Sequence, residues 1–444
     1  MIPGFRRLLS LSAALPLLAA VPAHADIDVA RTKAAIQTSL DANYPKLDEL
    51  YKDLHAHPEL AFQEVRTAAR LAAEMRALGF EVTEQVGKTG LVAIYRNGDG
   101  PTIMVRTELD ALPMEEKSGL PYASREKTNW NGVETFVAHS CGHDIHMASW
   151  VGTAKTLLSM KDQWQGTLMF IAQPAEETVS GAKAMLADGL FTRFKKPDFA
   201  FGLHDSPRAY GTVAYRVGEI SSNSDSLAIK FRGRGGHGSA PHLTIDPVLM
   251  AARFVVDMQG VISREKSPSE FGVVSIGAIH GGTAENIIPD DVTVLGTIRT
   301  YKPDVRSKIL AGIERTAKAE AIMSGAPEPE IKITEGGKAV VNDAKVAEMS
   351  AKVLRAAFGD QLKPAPIGTA SEDFSEYVNA GVPSLFFSIG VYDPQRVAAA
   401  DAGGAQVAPN HSPFFAPVPK PTIETGIQAM TLAVLSAFDQ RAAR

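Results

Sequence analysis

The chain has 444 residues, of which 45% are hydrophobic and 21% charged, with a formal net charge of −5. This composition can bury a sizeable core over two domains of ordinary size and excludes a disordered or collagen-like chain. The acidic balance and the lack of a basic face argue against a nucleic-acid partner, and no internal repeat points to a solenoid or propeller.

The N-terminus reads as an export signal. Arg6 and Arg7 precede an apolar run, Leu8 to Val21, and Ala23-His24-Ala25 supplies the small-x-small pattern that a signal peptidase needs. Pro16 interrupts a run already too short to span a bilayer. The expectation is a signal peptide over residues 1–25, cleavage before Asp26, a periplasmic or secreted protein, and no stable membrane anchor afterwards. Export makes the lone cysteine, Cys141, informative, because it has no disulfide partner within the chain.

After the leader, Lys46 to His57 and Glu64 to Leu78 carry helical apolar spacing, the second ending at Gly79. Short, almost continuously apolar runs at 91–95, 102–105, 168–172 and 199–203 predict strands covered on both faces, with helices at 145–160 and 181–188 between them. The alternation predicts an α/β domain with a largely parallel sheet. From Ser224 the pattern becomes strand (227–232), helix (246–263), strand (272–279), strand (292–299), helix (305–324), strand (329–334). This is the order of a ferredoxin-like α+β sandwich, placed as an insertion over residues 224–334 between catalytic halves 26–223 and 335–444. The second half continues with a helix at 343–358, a strand at 384–389, a loop rich in alanine and glycine at 393–408, and a helix at 422–438.

Four segments set metal-type or charged side chains just past a strand or at the mouth of a helix. They are Arg106-Thr107-Glu108-Leu109-Asp110, His139-Ser140-Cys141-Gly142-His143-Asp144, Gln173-Pro174-Ala175-Glu176-Glu177 and His204-Asp205. Ligands bind outside the carboxyl ends of strands in open α/β sheets, so these loops are expected to share one crevice, with His411 arriving from a late loop. A thiolate and an imidazole two residues apart suit zinc, cobalt, nickel or manganese better than calcium or magnesium. Alone, Cys141 and His143 equally describe an inert buried cysteine beside a capping histidine, and Glu176-Glu177 a solvated acidic loop. Adjacent glutamates point in different directions, so one can bind metal while the other moves a proton.

Taken together and in order, Cys-Gly-His-Asp, Gln-Pro-Ala-Glu-Glu, Gly-Gly-His, Asn-Ile-Ile-Pro-Asp and Ser-Glu-Asp-Phe resemble the dinuclear-metal amidohydrolases. That family includes hippurate hydrolase, N-acyl-amino-acid hydrolases and auxin-conjugate hydrolases, within the aminoacylase and carboxypeptidase G group. The resemblance runs from His57-Pro58-Glu59-Leu60 to His411-Ser412-Pro413. It implies a zinc-exopeptidase-like α/β/α catalytic domain whose inserted domain serves as lid and dimerisation module. It also implies two divalent ions held by Cys141, His143, Glu177, His204 and His411, with Cys141 bridging and Glu176 as general acid/base. His237 is implied to stabilise the oxyanion, often from the partner subunit of a homodimer, with Asn286 and Arg299 holding the substrate; Arg299 as an exposed strand cation is the plainer alternative. His139, Asp144 and His146 read as orienting or capping groups, and Asp110 as an orienting carboxylate. Where the family has Arg-Ala-Asp-Met-Asp, this chain has Glu108, one methylene longer, beside the metal pocket. The implied reaction is cleavage of an N-acyl or N-aroyl amino acid, with a dipeptidase or carboxypeptidase as the neighbouring alternative. A cysteine-nucleophile hydrolase and an exported solute-binding protein are the rivals from other classes.

Overall fold

The computed structural model describes Met1 and residues 27–439. Apart from Met1, the expected leader lies outside the described residues. Helix α1 (Val29–Ala56) begins well before the predicted Lys46, with Asp28 capping it by accepting the Arg31 N–H at 3.0 Å. Pro45 hides this continuity in the sequence, but it sits on the solvent face. Ile36 and Leu40 before it, and Leu47, Leu50 and Leu54 after it, share one buried stripe.

Next come α2 (Val65–Ala77), β1 (Glu81–Val86), β2 (Gly90–Asn97), β3 (Thr102–Glu108), α3 (His143–Ser159), β4 (Gly166–Gln173), β5 (Phe199–Ala209) and β6 (Val213–Tyr215). The insertion contributes β7 (Asn223–Arg232), α4 (Pro247–Asp257), β8 (Gly272–His280), β9 (Asp291–Thr300), α5 (Pro303–Met323) and β10 (Glu330–Glu335). The chain returns through α6 (Ala344–Phe358), β11 (Leu362–Pro364), β12 (Ser384–Tyr392), α7 (Pro394–Asp401) and α8 (Pro419–Asp439). Helix α7 occupies what the sequence suggested was a plain loop; Asp393 caps it and Pro394 takes its first position.

Among the described residues the large sheet has the order β1-β2-β4-β3-β5-β12-β6-β11. Its centre, β4-β3-β5-β12, is parallel, while β1, β2 and β6 run antiparallel to a neighbour. The expected largely parallel sheet is present with mixed edges: β11 runs parallel to β6, and β1 must run antiparallel to β2 because the turn joining them is too short for a crossover helix. Alternate residues of β4 feed two cores. Leu168 and Phe170 pack under α1, α3, α6 and α8, and Met169 and Ile171 face the opposite layer. Each fully buried side chain of this size is worth about 1.5–3 kcal/mol, and the result is an α/β/α sandwich.

The insertion folds on its own core as an antiparallel sheet of order β8-β9-β7-β10, backed by α4 and α5. This is the ferredoxin-like arrangement. The two chain crossings between the layers run side by side: Ile220 N–H donates to the Val340 carbonyl at 2.9 Å, and Ser224 N–H to that of Gly337 at 2.8 Å. No helix among the described residues is long and apolar enough to cross a membrane.

Candidate metal centre

The parallel strands aim their carboxyl ends at one crevice, as expected. Beyond β3 lies Asp110, beyond β4 the Pro174–Glu177 loop, and His204 sits on β5, which continues past the predicted Leu203 because β12 pairs with it as far as Ala209. Gly142, at φ +82°, turns the chain into α3 and leaves His143 on the first helical turn. Only glycine fits there, since a Cβ would come within 1.6 Å of the Asp205 carboxylate.

All five expected donors meet in this crevice. Ligating atoms of Cys141, His143 and His204 lie within 4.8 Å of one another, as do those of Cys141, Glu177 and His411. Cys141 thus belongs to two overlapping triplets. Its Sγ is 3.5 Å from His204 Nε2, and His411 Nε2 is 3.4 Å from Glu177 Oε2. His143 donates through Nδ1 to the Asp110 carbonyl at 2.7 Å, and His204 through Nδ1 to the Asp205 carbonyl at 2.7 Å. Each ring therefore turns its Nε2 toward the crevice.

The donors also fit divalent cations on their own evidence. His143 Nε2 and Glu177 Oε1 are buried, have no hydrogen-bond partner among the described residues, and face each other across 4.0 Å. Buried polar atoms without a protein partner are what a bound cation would satisfy. Burial, reinforced by the Glu177, Glu176 and Asp205 carboxylates, pushes the Cys141 thiol up. Burial likewise raises Glu177 to about 7, and drives His143 well below the usual imidazole range. At His204 burial opposes the charged ring, but the Asp205 and Glu108 carboxylates prevail and raise it to about 10, so positive charge is favoured at that place in the pocket.

Residues 104–436 match the Peptidase family M20/M25/M40. The chain belongs to that family. It is 36% identical to the hippurate hydrolase of Campylobacter jejuni over 336 residues, covering 74% of this chain and 84% of the relative. It is 35% identical to thermostable carboxypeptidase 2 of Saccharolobus solfataricus over 373 residues, covering 83% and 89%. Among solved structures, a dinuclear metal binding peptidase of the M20 family from Bacillus subtilis superposes with a TM-score of 0.74 at 28% identity, covering 90% of this chain and 99% of the other.

How this M20 chain holds its paired glutamates was not visible in the sequence. Three successive amides are gripped by buried carboxylates: Ala175 N–H donates to Glu64 Oε1 at 2.8 Å, and Glu176 and Glu177 N–H donate to the two oxygens of Asp110 at 2.9 Å each. Asp110 is therefore an orienting carboxylate for the glutamate loop, while its carbonyl orients His143. Ala175 is kept at φ +50°, so the carboxylates sustain a backbone that alanine alone disfavours. Burial and the carboxylates of Glu372, Glu177 and Asp373 raise Glu176 well above the usual range, and its Oε2 faces His143 Nε2 at 3.8 Å.

Beneath the crevice lies a buried ion cluster. Arg106 pairs with Glu108, with Glu372 at 2.8 Å and with Asp373 at 3.0 Å. Glu372 and Asp373 come from the Ser-Glu-Asp-Phe motif, a family signature to which sequence reasoning assigned no task. Asp144 accepts the Ile145 N–H at 2.9 Å in the first turn of α3, and the imidazole it orients is His55 rather than a ligand histidine: its carboxylate holds His55 Nδ1 at 2.6 Å, and Glu116 holds His55 Nε2 at 3.1 Å. His139 is buried, and neither ring nitrogen has a hydrogen-bond partner among the described residues.

The inserted domain places its three candidates differently. His237 and Asn286 are exposed neighbours on a short ribbon, where Gly238 N–H donates to the Asn286 carbonyl at 2.8 Å and His237 Nδ1 accepts the Ser239 N–H at 3.1 Å. Neither belongs to the donor groups around Cys141. Arg299, on β9, donates to the hydroxyl of Ser371, next to the ion cluster.

Proposed function

We propose that this M20 chain is a metal-dependent amidohydrolase that cleaves an N-acyl or N-aroyl amino acid into a carboxylic acid and a free amino acid. The observation that carries this reading is the pair of donor triplets sharing Cys141, with Glu176 beside them. Cys141, His143, Glu177, His204 and His411 would hold two divalent ions, of zinc, manganese, cobalt or nickel. When bound, such ions polarise the scissile carbonyl and make water more acidic. Glu176 takes a proton from the attacking water and delivers it to the leaving nitrogen, so that one water is consumed and the acid and amine are released. His237 meets the charge that develops on the carbonyl oxygen, and Arg299 grips the free carboxylate with its planar fork while Asn286 steadies the substrate. The convergence of His143, Glu177, His204 and His411 on Cys141 supports a ligand rather than a nucleophile, which would need only a base beside it.

The protein is proposed to be exported and to work as a homodimer. Exposed Val248, Leu249 and Val256 on α4, and Ile279 on the edge strand β8, support a face that a second copy covers. The likeness to a carboxypeptidase favours a second reading, a peptidase with the same centre.

The test loads chelator-treated protein with each metal in turn and measures amino acid release from hippurate, N-acetyl amino acids and dipeptides. Release from N-acyl amino acids is expected. Cleavage of dipeptides alone would favour the peptidase, and binding without turnover would favour a solute-binding protein.

A further inference from the structure

Behind the donor atoms runs a chain of hydrogen bonds that begins at Glu108. Glu108 is fully buried, one carboxylate oxygen paired with Arg106 and the other 3.1 Å from His146 Nδ1. On the far side of the ring, the backbone N–H of Asp205 donates to His146 Nε2 at 2.9 Å. An amide nitrogen can only donate, so Nε2 carries the lone pair and the proton sits on Nδ1, where Glu108 accepts it. Both ring nitrogens are thereby occupied. His146 is not a metal ligand in this arrangement, although its ring lies 4.7 Å from that of His204 and 5.5 Å from that of His143.

Asp205 passes the constraint on. Its N–H is anchored on His146, and its carbonyl accepts the Nδ1 proton of His204, turning His204 Nε2 toward Cys141. We propose that Glu108 is a positioning residue: it fixes the tautomer of His146 and, through the main chain of Asp205, the aim of His204 toward the donor group it forms with Cys141 and His143. This rests on the metal-centre reading above.

The residue type matters as well as the charge. Arg106 holds one oxygen in place, so an aspartate, shorter by about 1.5 Å, would leave the His146 N–H beyond hydrogen-bond reach. Glutamine keeps the length but has only one acceptor oxygen. Arg106, a pure donor, takes that oxygen and leaves the amide NH2 facing Nδ1. The ring would then have to carry its proton on Nε2, donor against donor with the Asp205 N–H.

The experiment uses the full chain loaded with zinc. Nitrogen-15 spectra of the histidine rings, with His146 assigned from a His146→Gln variant, are expected to show a protonated Nδ1 and a bare Nε2. In Glu108→Gln, titration with zinc is expected to show one of the two ions bound about 10- to 100-fold more weakly, the range typical of lost orienting partners, with the folded spectrum retained. An Nε2-protonated His146 in the wild type, or wild-type affinity for both ions in Glu108→Gln, would overturn the proposal. If that variant does not fold, the wild-type spectrum alone decides. A wild-type chain that takes up no zinc would overturn the metal-centre reading and this proposal with it.

Discussion

The Asp205 carboxylate accepts the side-chain amide of Asn410 at 2.6 Å, joining the segment that carries His204 to the one that carries His411. The same amide reaches the Cys141 carbonyl at 3.2 Å, so one asparagine ties its own donor-bearing segment to two others. Asn410→Ala is expected to leave the fold intact and weaken metal binding about 10- to 100-fold. Asn410→Asp should do more damage, because it sets two carboxylates face to face. Zinc titration of both variants checks this, and equal affinity in wild type and Asn410→Ala would count against the role.

Cys141 and Glu176 are expected to fail in different ways. Cys141→Ala removes a donor common to both triplets, so metal content and activity should fall together. Glu176→Gln keeps volume and polarity but cannot take a proton; metal should stay while turnover drops by about two to four orders of magnitude. Elemental analysis beside the activity assay separates the two. Near-normal turnover in Glu176→Gln would move the base elsewhere.

His55 makes stability depend on pH. Burial opposes its charge, but the hydrogen bonds to Asp144 and Glu116 prevail and raise it from 6.5 to about 10. A raised value in the folded state means that its contribution is complete below about pH 6.5 and is lost as pH rises through about 10. Removing the imidazole strands two buried carboxylates, so His55→Gln should cost roughly 3–5 kcal/mol near neutrality. Urea unfolding at pH 6, 8 and 10 is expected to show the gap between wild type and variant closing with pH. A gap that stays constant would mean that His55 does not titrate in this window.

Subunit complementation tests the exposed position of His237. If His237 serves the partner's site, mixing inactive Glu176→Gln with inactive His237→Ala should restore one active site per heterodimer. The His237→Ala subunit keeps its own Glu176 and borrows the partner's histidine. Verified subunit exchange without recovery would confine His237 to its own chain or to no role.

The donor-bearing segments were legible because thiol, imidazole and paired carboxylate at strand ends are chemically conspicuous, and the inserted domain because its strands and helices alternate cleanly. The groups that aim the donors were not. Glu64 meets Ala175 at a separation of 111 residues, and Arg106 meets Glu372 at 266; nothing local marks such a charge as buried. Pro45 concealed the first half of α1 in the same way that alanine and glycine concealed α7. In both cases packing or capping outweighed composition.

The parallel centre of the large sheet is completed by β12, which enters beside β5 only after the whole insertion has been made. During synthesis the inserted domain, closed on its own core by residue 335, leaves the ribosome ready to fold while the catalytic sheet still lacks an interior strand. Until residue 392 appears, β5 exposes an open apolar edge of the kind that invites mispairing. A closure this late and long-range is expected to make assembly of the catalytic layer slower than that of the inserted domain. Chains truncated between the insertion and β12 should therefore accumulate as one folded module attached to an aggregation-prone half-sheet.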